Sequence, residues 1–483
     1  MRRTLSAVLG SLLVVPFACG EGSNPTGGAE AGVDVGVEAG ADARMDVGPP
    51  SLGDGAATDA LGGGDQSPEV ASADDSSDAD GAVVVDSAVP DAGVDANLAN
   101  RDMAAVDVGR GDTATMVDGV SCTGVFVLGT VPASPVGENP NALVAADLNG
   151  DGNEDLAVAN YGAGSVSILL GKGDQTFAPK VDYACGSKPA SLALGDLDGD
   201  GKLDLVTANA GKNTVSVLRG NGDGSFAAQV EYVVLPVGYT GQIHPASVAL
   251  GDVNGDRRLD IVTANTARDG TVTVLLGKAD GGFAPQVNYP VGDSPVSVAL
   301  GDLNADGNLD IVEANYLQGF VGVLLGEGDG SFATMVKLTT TQMPYSVLLG
   351  DVNDDKRLDI VSVNTGVYDG TISVLLGNGD GTFATKNDYT ILQRWITDSP
   401  ALYDPPIAAV LADVDGDGNL DFVNGTTVML GTGDGRFVTV SGELSSYHPP
   451  AIALGDFNND GHPDLAAASY DDDLVSAWPS ACR

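Results

Sequence analysis

The chain has 483 residues, with 67 Asp and Glu against 22 Lys and Arg, a formal net charge of −45 and only 5% aromatic residues. Cations this sparse, with no basic stripe, argue against nucleic acid as a partner. The acid is unevenly placed: part of it falls in a low-complexity stretch and the rest in regularly spaced short motifs.

Met1-Arg2-Arg3 followed by LSAVLGSLLVVPFA has the charged and apolar regions of a secretory signal, too short to persist as a membrane span. Residues 1–19 are therefore expected to direct export. Cys19, after Phe17-Ala18, resembles a bacterial lipoprotein acylation site, although Pro16 stands where an aliphatic residue is usual. Gly20 directly after it favours the outer membrane and cell surface; ordinary cleavage with secretion is the alternative. Residues 20–120 are Gly, Ala, Asp, Val and Ser in runs such as VDVGVEAGADARMDVG. They can bury too little to offset chain entropy, so a disordered tether, extended by its own carboxylates, is expected.

From residue 121 the pattern changes. Seven times an apolar run ends in an Asp that opens a nine-residue loop with Asp or Asn at position 3 and Asp at positions 5 and 9. Five copies carry Gly at position 6: Asp147-Asn149-Asp151-Asp155, Asp196-Asp198-Asp200-Asp204, Asp302-Asn304-Asp306-Asp310, Asp413-Asp415-Asp417-Asp421 and Asp456-Asn458-Asp460-Asp464. A tight loop of this kind can offer Ca2+ side-chain oxygens at 1, 3, 5 and 9. The carbonyl at 7 completes the set, here from Asn153, Lys202, Asn308, Asn419 or His462. Empty, each pair of carboxylates about 4 Å apart repels by roughly 4 kcal/mol at an effective dielectric of 20. Three such pairs rival the roughly 5–15 kcal/mol that holds a domain together, so a cation is expected. The other two copies, Asp252-Asn254-Asp256-Asp260 and Asp351-Asn353-Asp355-Asp359, continue from position 5 as Arg257-Arg258 and Lys356-Arg357. A side chain at position 6 is strained, and a nearby cation can neutralise the carboxylates, so these two should hold calcium weakly or not at all.

Loop to loop the chain advances by about 43 to 62 residues, a period that signals a propeller or solenoid. Within one repeat, SLALGD, LDLVTAN, TVSVLRG and AAQVEYVV read as four short strands. A second turn, GNGDGSF at 220–226, recurs six times between the third and fourth strands. The last repeat stops after its third strand, whereas residues 126–140 read as a fourth strand without a repeat. The N-terminal strand is thus expected to complete the last blade, which would remove the exposed edges of an open ring. Cys122 and Cys482 fall where the other repeats have the glycine hairpin, and a disulfide between them is expected; Cys185 reads as a buried free thiol.

The combination of GDxNxDGxxD with GxGDGxF resembles the FG-GAP family, also called VCBS-type repeats, to which the integrin alpha-chain head is related. The resemblance covers about 345 residues and implies an all-β, seven-bladed β-propeller over 121–483 with calcium between the first and second strands of the blades. Fold alone does not settle function. No GxSxG, HExxH or phosphate-cradling glycine motif is present, and no catalytic residue is expected.

A binding role is expected instead, on the face opposite the calcium loops. There the linkers at 235–245 and 391–406 are enlarged and carry Tyr239, His244, Arg394, Trp395, Tyr403 and Asp404. Shorter loops on that face carry the exposed-looking aromatics Tyr161, Tyr316, Tyr368 and Tyr470. The resulting expectation is a monomeric, surface-tethered adhesion or ligand-binding module for a protein or glycan, touching the membrane only through its lipid. A structural envelope or matrix protein is the alternative, followed by a propeller-fold hydrolase or lyase.

Overall fold

A computed structural model describes residues 126, 131–236, 243–340, 343–365, 370–391, 408–425, 427–440 and 449–480. The expectations for Cys19, the tether, Cys122, Cys482, Tyr239, Tyr368, Arg394, Trp395, Tyr403 and Asp404 lie outside the described residues.

Blade 2 shows why these residues make these strands. Pro189–Gly195, Asp204–Asn209 and Thr214–Leu218 are short and rich in Leu, Val and Thr, and nearly every residue in them is buried. Both faces of the inner strands are covered, because blades stack face to face, and alternation of polar and apolar residues is therefore lost. The outer strand, Val230–Val233, is largely exposed. Each strand pairs antiparallel with the next, with Gly195 opposite Asp204 and Leu205 opposite Leu218. In five blades a proline at the first or second position of the first strand is followed by a β-bulge, as between Pro189 and Ser191. A residue with no amide to donate is confined to such positions.

Seven sheets of four strands follow one another around a ring. Blades 1 to 6 occupy 140–184, 189–233, 244–292, 295–339, 343–391 and 409–439, and blade 7 occupies 451–478 together with Ala133–Pro135. The first strands of successive blades touch, and that of blade 7 meets that of blade 1, so they line the axis. The N-terminal strand closes the ring as expected, with Ala133 opposite Ser476 and Pro135 opposite Leu474. It is shorter than the sequence suggested: three residues, plus an isolated bridge from Phe126 to Ser480. Pro132 and Pro135 cannot donate to a ladder, which an outer edge strand tolerates.

The Phe that ends each glycine hairpin is a peg between blades. Phe226 meets Tyr183 of the preceding blade edge-on at 5.6 Å, and Phe283 meets Tyr232 at 5.0 Å. Phe332 with Tyr289 and Phe437 with Tyr389 repeat the arrangement. Inside the blades a second motif recurs. The Asn closing the second strand donates to a hydroxyl on the third, as Asn209 does to Ser216 at 2.9 Å, and Asn265 to Thr273 at 2.6 Å. Its own Oδ1 accepts from a hydroxyl two residues back: Thr207, Thr263 and, for Asn364, Ser362. Blade 4 departs from this: Glu313 replaces the hydroxyl residue, and Gly322 stands opposite it on the third strand.

Candidate metal centres

Each acidic loop joins the first strand of a blade to the second, and its last Asp begins the second strand. That Asp is buried, while the loop's other carboxylates are half-buried or exposed. Its two oxygens are held the same way in every blade. In blade 2, Oδ2 of Asp204 accepts from the Leu197 amide at 3.0 Å, and Oδ1 accepts from the Gly220 amide at 2.9 Å. Asp155, Asp260, Asp310, Asp359 and Asp421 are held by the matching pairs of amides. In blade 7, Asp464 takes the Phe457 amide and, lacking a hairpin glycine, that of Ser480.

This pairing gives the first hairpin glycine a role that sequence reasoning missed. It must bring its amide against the buried Asp, and a Cβ on Gly220 would lie 2.0 Å from the Leu203 carbonyl oxygen. The recurrence of a hairpin glycine after the third strand in six repeats was the available signal, although its offset from the ninth loop position runs from 10 residues in blade 6 to 18 in blade 5. The hairpin Asp closes its own turn: Asp223 Oδ1 accepts from the amide and hydroxyl of Ser225.

Positions 1, 3 and 5 wrap inward. Asp147 receives the amides of Asp151 and Gly152, Asn149 Oδ1 receives that of Asp151, and Asp151 Oδ1 that of Asn153. The other loops repeat the contacts of Asp147 at Asp196, Asp302 and Asp456. The sixth residue has positive φ throughout, 81° at Gly201 and 93° at Gly418, but also 67° at Arg257 and 68° at Lys356. Those two side chains accept a conformation that Gly adopts without steric cost. The cations that neutralise these loops come from position 7: Arg258 pairs with Asp256, and Arg357 with Asp355 at 3.5 Å. Blade 2 also contains cations, with Lys202 on Asp200 at 2.9 Å and Arg219 on Asp204.

The electrostatics call for positive charge. Burial, reinforced by repulsion from the loop's other carboxylates, pushes Asp155, Asp260 and Asp359 up to about 6, and Asp421 to about 7. A buried carboxylate crowded by others is stabilised by either a proton or a cation. In two groups, Asp196 with Asp198 and Asp204, and Asp413 with Asp415 and Asp417, three carboxylates each offer an oxygen within 4.8 Å of the others. An all-oxygen donor set of this kind fits a hard divalent cation, and both groups could hold one.

Comparison with known proteins agrees with this geometry. A model of the FG-GAP-like repeat matches residues 147–207, 196–263, 252–313, 351–424 and 413–467, more than half of the chain. The chain belongs to the FG-GAP-like repeat family. A search of curated proteins found no match. Among solved structures, one of BBS1N in complex with ARL6DN, soaked with mercury, is similar at 14% identity and a TM-score of 0.50, covering 71% of this chain and 93% of that chain. A structure of an Agrocybe aegerita lectin that recognises non-reducing terminal N-acetylglucosamine is similar at 22% identity and a TM-score of 0.44, covering 70% and 85%. At 14% identity the likeness to the BBS1N structure is one of propeller fold alone.

On the opposite face the described aromatics are less free than expected. Tyr161, Tyr316 and Tyr470 are half-buried rather than exposed. Tyr316 packs edge-on against Tyr345 of the next blade at 5.8 Å, and the Lys188 ammonium lies 5.5 Å over the Tyr161 ring. The short loops press against the neighbouring linkers, as the Tyr161 amide does on the Asn139 carbonyl, which turns these rings into packing groups. His244 is exposed, with Nδ1 2.6 Å from the Ala210 carbonyl oxygen. Cys185 is a buried free thiol, pushed up to about 12 by desolvation, and so is no nucleophile.

Proposed function

We propose that this chain is an exported, surface-tethered propeller that binds a protein or glycan ligand, that calcium in its acidic loops rigidifies it, and that it catalyses no reaction. The observation that carries the binding role is the separation of the two faces. All seven acidic loops leave from one end of the blades, whereas the long linkers between blades leave from the other, after Val233, after Ile391 and after Thr439. Long connections on a rigid ring are where recognition concentrates. Calcium acts structurally in this reading, as counter-charge to carboxylates buried where each loop meets its second strand.

The N-terminal segment supplies the location. Acylation at Cys19 would anchor the chain to the outer membrane, and the acidic stretch would hold the monomeric propeller away from the surface. A glycan and protein array probed with the purified propeller, with calcium and with EDTA, tests the binding role. Trp395→Ala and Tyr403→Ala should weaken capture of any ligand found by about 2 kcal/mol or more, with folding and calcium content unchanged. An array without signal would favour the second reading, a structural envelope protein.

A further inference from the structure

We infer that Arg219 is the resident cation of the blade 2 loop, so that this loop, complete in its acidic pattern, is closed to metal and instead clamps blade 2 to blade 3. The inference rests on the reading that the loops hold calcium, and it separates one of them from the rest.

Arg219 occupies a position that is otherwise apolar. Before the first hairpin glycine stand Leu170, Leu276, Leu325, Leu376 and Leu430 in blades 1, 3, 4, 5 and 6. The first four of these cover the last glycine of the next blade's hairpin closely. A Cβ there would lie 2.6 Å from Leu170 at Gly224, 2.9 Å from Leu276 at Gly330, 3.0 Å from Leu325 at Gly381 and 2.8 Å from Leu376 at Gly435. Arg219 takes the same place over Gly281, where a Cβ would meet its Nη2 at 3.2 Å, and Nη2 also donates to the Gly281 carbonyl. The blade contact that Leu makes through methyl groups is made here by a hydrogen bond.

The remaining donors of the guanidinium turn into the loop. Nη1 donates to Asp204 Oδ2, and Nε lies 3.7 Å from Asp198 Oδ2. Asp198 and Asp204 are two of the three carboxylates that converge in this loop, so an ion and Arg219 compete for the same carboxylates. Lys202 adds a second positive charge at Asp200. A guanidinium cannot be discharged in a protein, so the loop never presents bare carboxylates while Arg219 is folded against it. Blade 6 is the contrast: it converges Asp413, Asp415 and Asp417, has Leu430 in place of the arginine, and among the described residues no salt bridge reaches any of its loop carboxylates.

The test counts calcium on the full chain, by elemental analysis and titration calorimetry, for the parent, Arg219→Leu, Arg219→Met and, as a control in another blade, Asp415→Asn. Leucine is the residue the sister blades accept at this position, and methionine keeps the length of the side chain should leucine disturb the fold. Each Arg219 variant should bind one calcium per chain more than the parent, and the gain in melting temperature on adding calcium should widen. Folded Arg219 variants that bind no more calcium than the parent would overturn the inference. The control keeps the two readings apart, because an Asp415→Asn chain that loses no calcium counts against the calcium reading of the loops in general.

Discussion

Glu313→Gln should make the protein more stable as the pH rises above 5, while changing little at lower pH. Glu313 is fully buried on the second strand of blade 4, with neither carboxyl oxygen in a hydrogen bond. Desolvation holds it well above its ordinary value of 4.5, and the charge of Lys337 pulls the other way without overcoming it. Below pH 4.5 both folded and unfolded chains carry the proton, and the group contributes nothing to the pH dependence. Above it the unfolded chain releases the proton while the folded chain keeps it, so stability falls as pH rises, by about 1.4 kcal/mol per unit, until the folded carboxyl ionises. If the acid stays neutral throughout, the parent loses about 3 kcal/mol relative to the variant between pH 5 and pH 7. Glutamine fills the same volume, can donate to Asn315 Oδ1 as the Thr207 hydroxyl does to Asn209, and does not titrate. Urea denaturation of both proteins in saturating calcium, from pH 5 to 8, isolates the effect, since the acidic loops are common to both. Parallel curves would refute the reasoning and imply that water or an unrecognised partner solvates Glu313 as an anion.

Chelation should lower the melting temperature by many degrees, because each occupied site contributes about 2.7 kcal/mol when free calcium is a hundredfold above its dissociation constant. An unchanged melt after verified metal removal would reduce the loops to solvated turns. Phe283→Ala should destabilise by about 3 kcal/mol or more through loss of the peg against Tyr232; a cost under about 1 kcal/mol in urea denaturation would mean the blades do not depend on it. Deleting residues 121–136 should expose Leu474–Trp478 as an open edge and cause aggregation, detectable by light scattering, while deleting 24–115 should not. A shortened chain that stays monomeric and melts cooperatively would remove ring closure from the account of stability.

The sequence by itself determined the fold and the location of the acidic loops. Both are carried by short-range chemistry: an Asp at position 1 can only wrap amides four and five residues ahead if the spacing is kept, and the period of the repeat counts the blades. The closing strand was legible because one repeat lacked a strand that the N-terminus supplied. Only the tertiary structure showed that the first hairpin glycine serves the buried Asp of its own blade, that Tyr161 and Tyr316 are packing groups, and that Arg219 enters the acidic loop while holding Gly281 of the next blade. By sequence the blade 2 loop ranked with the metal-binding set, because its pattern is intact and Arg219 lies 15 residues beyond Asp204. What a carboxylate binds depends on which charges stand around it in space, and in blade 2 the deciding charge comes from the end of the third strand of the same blade.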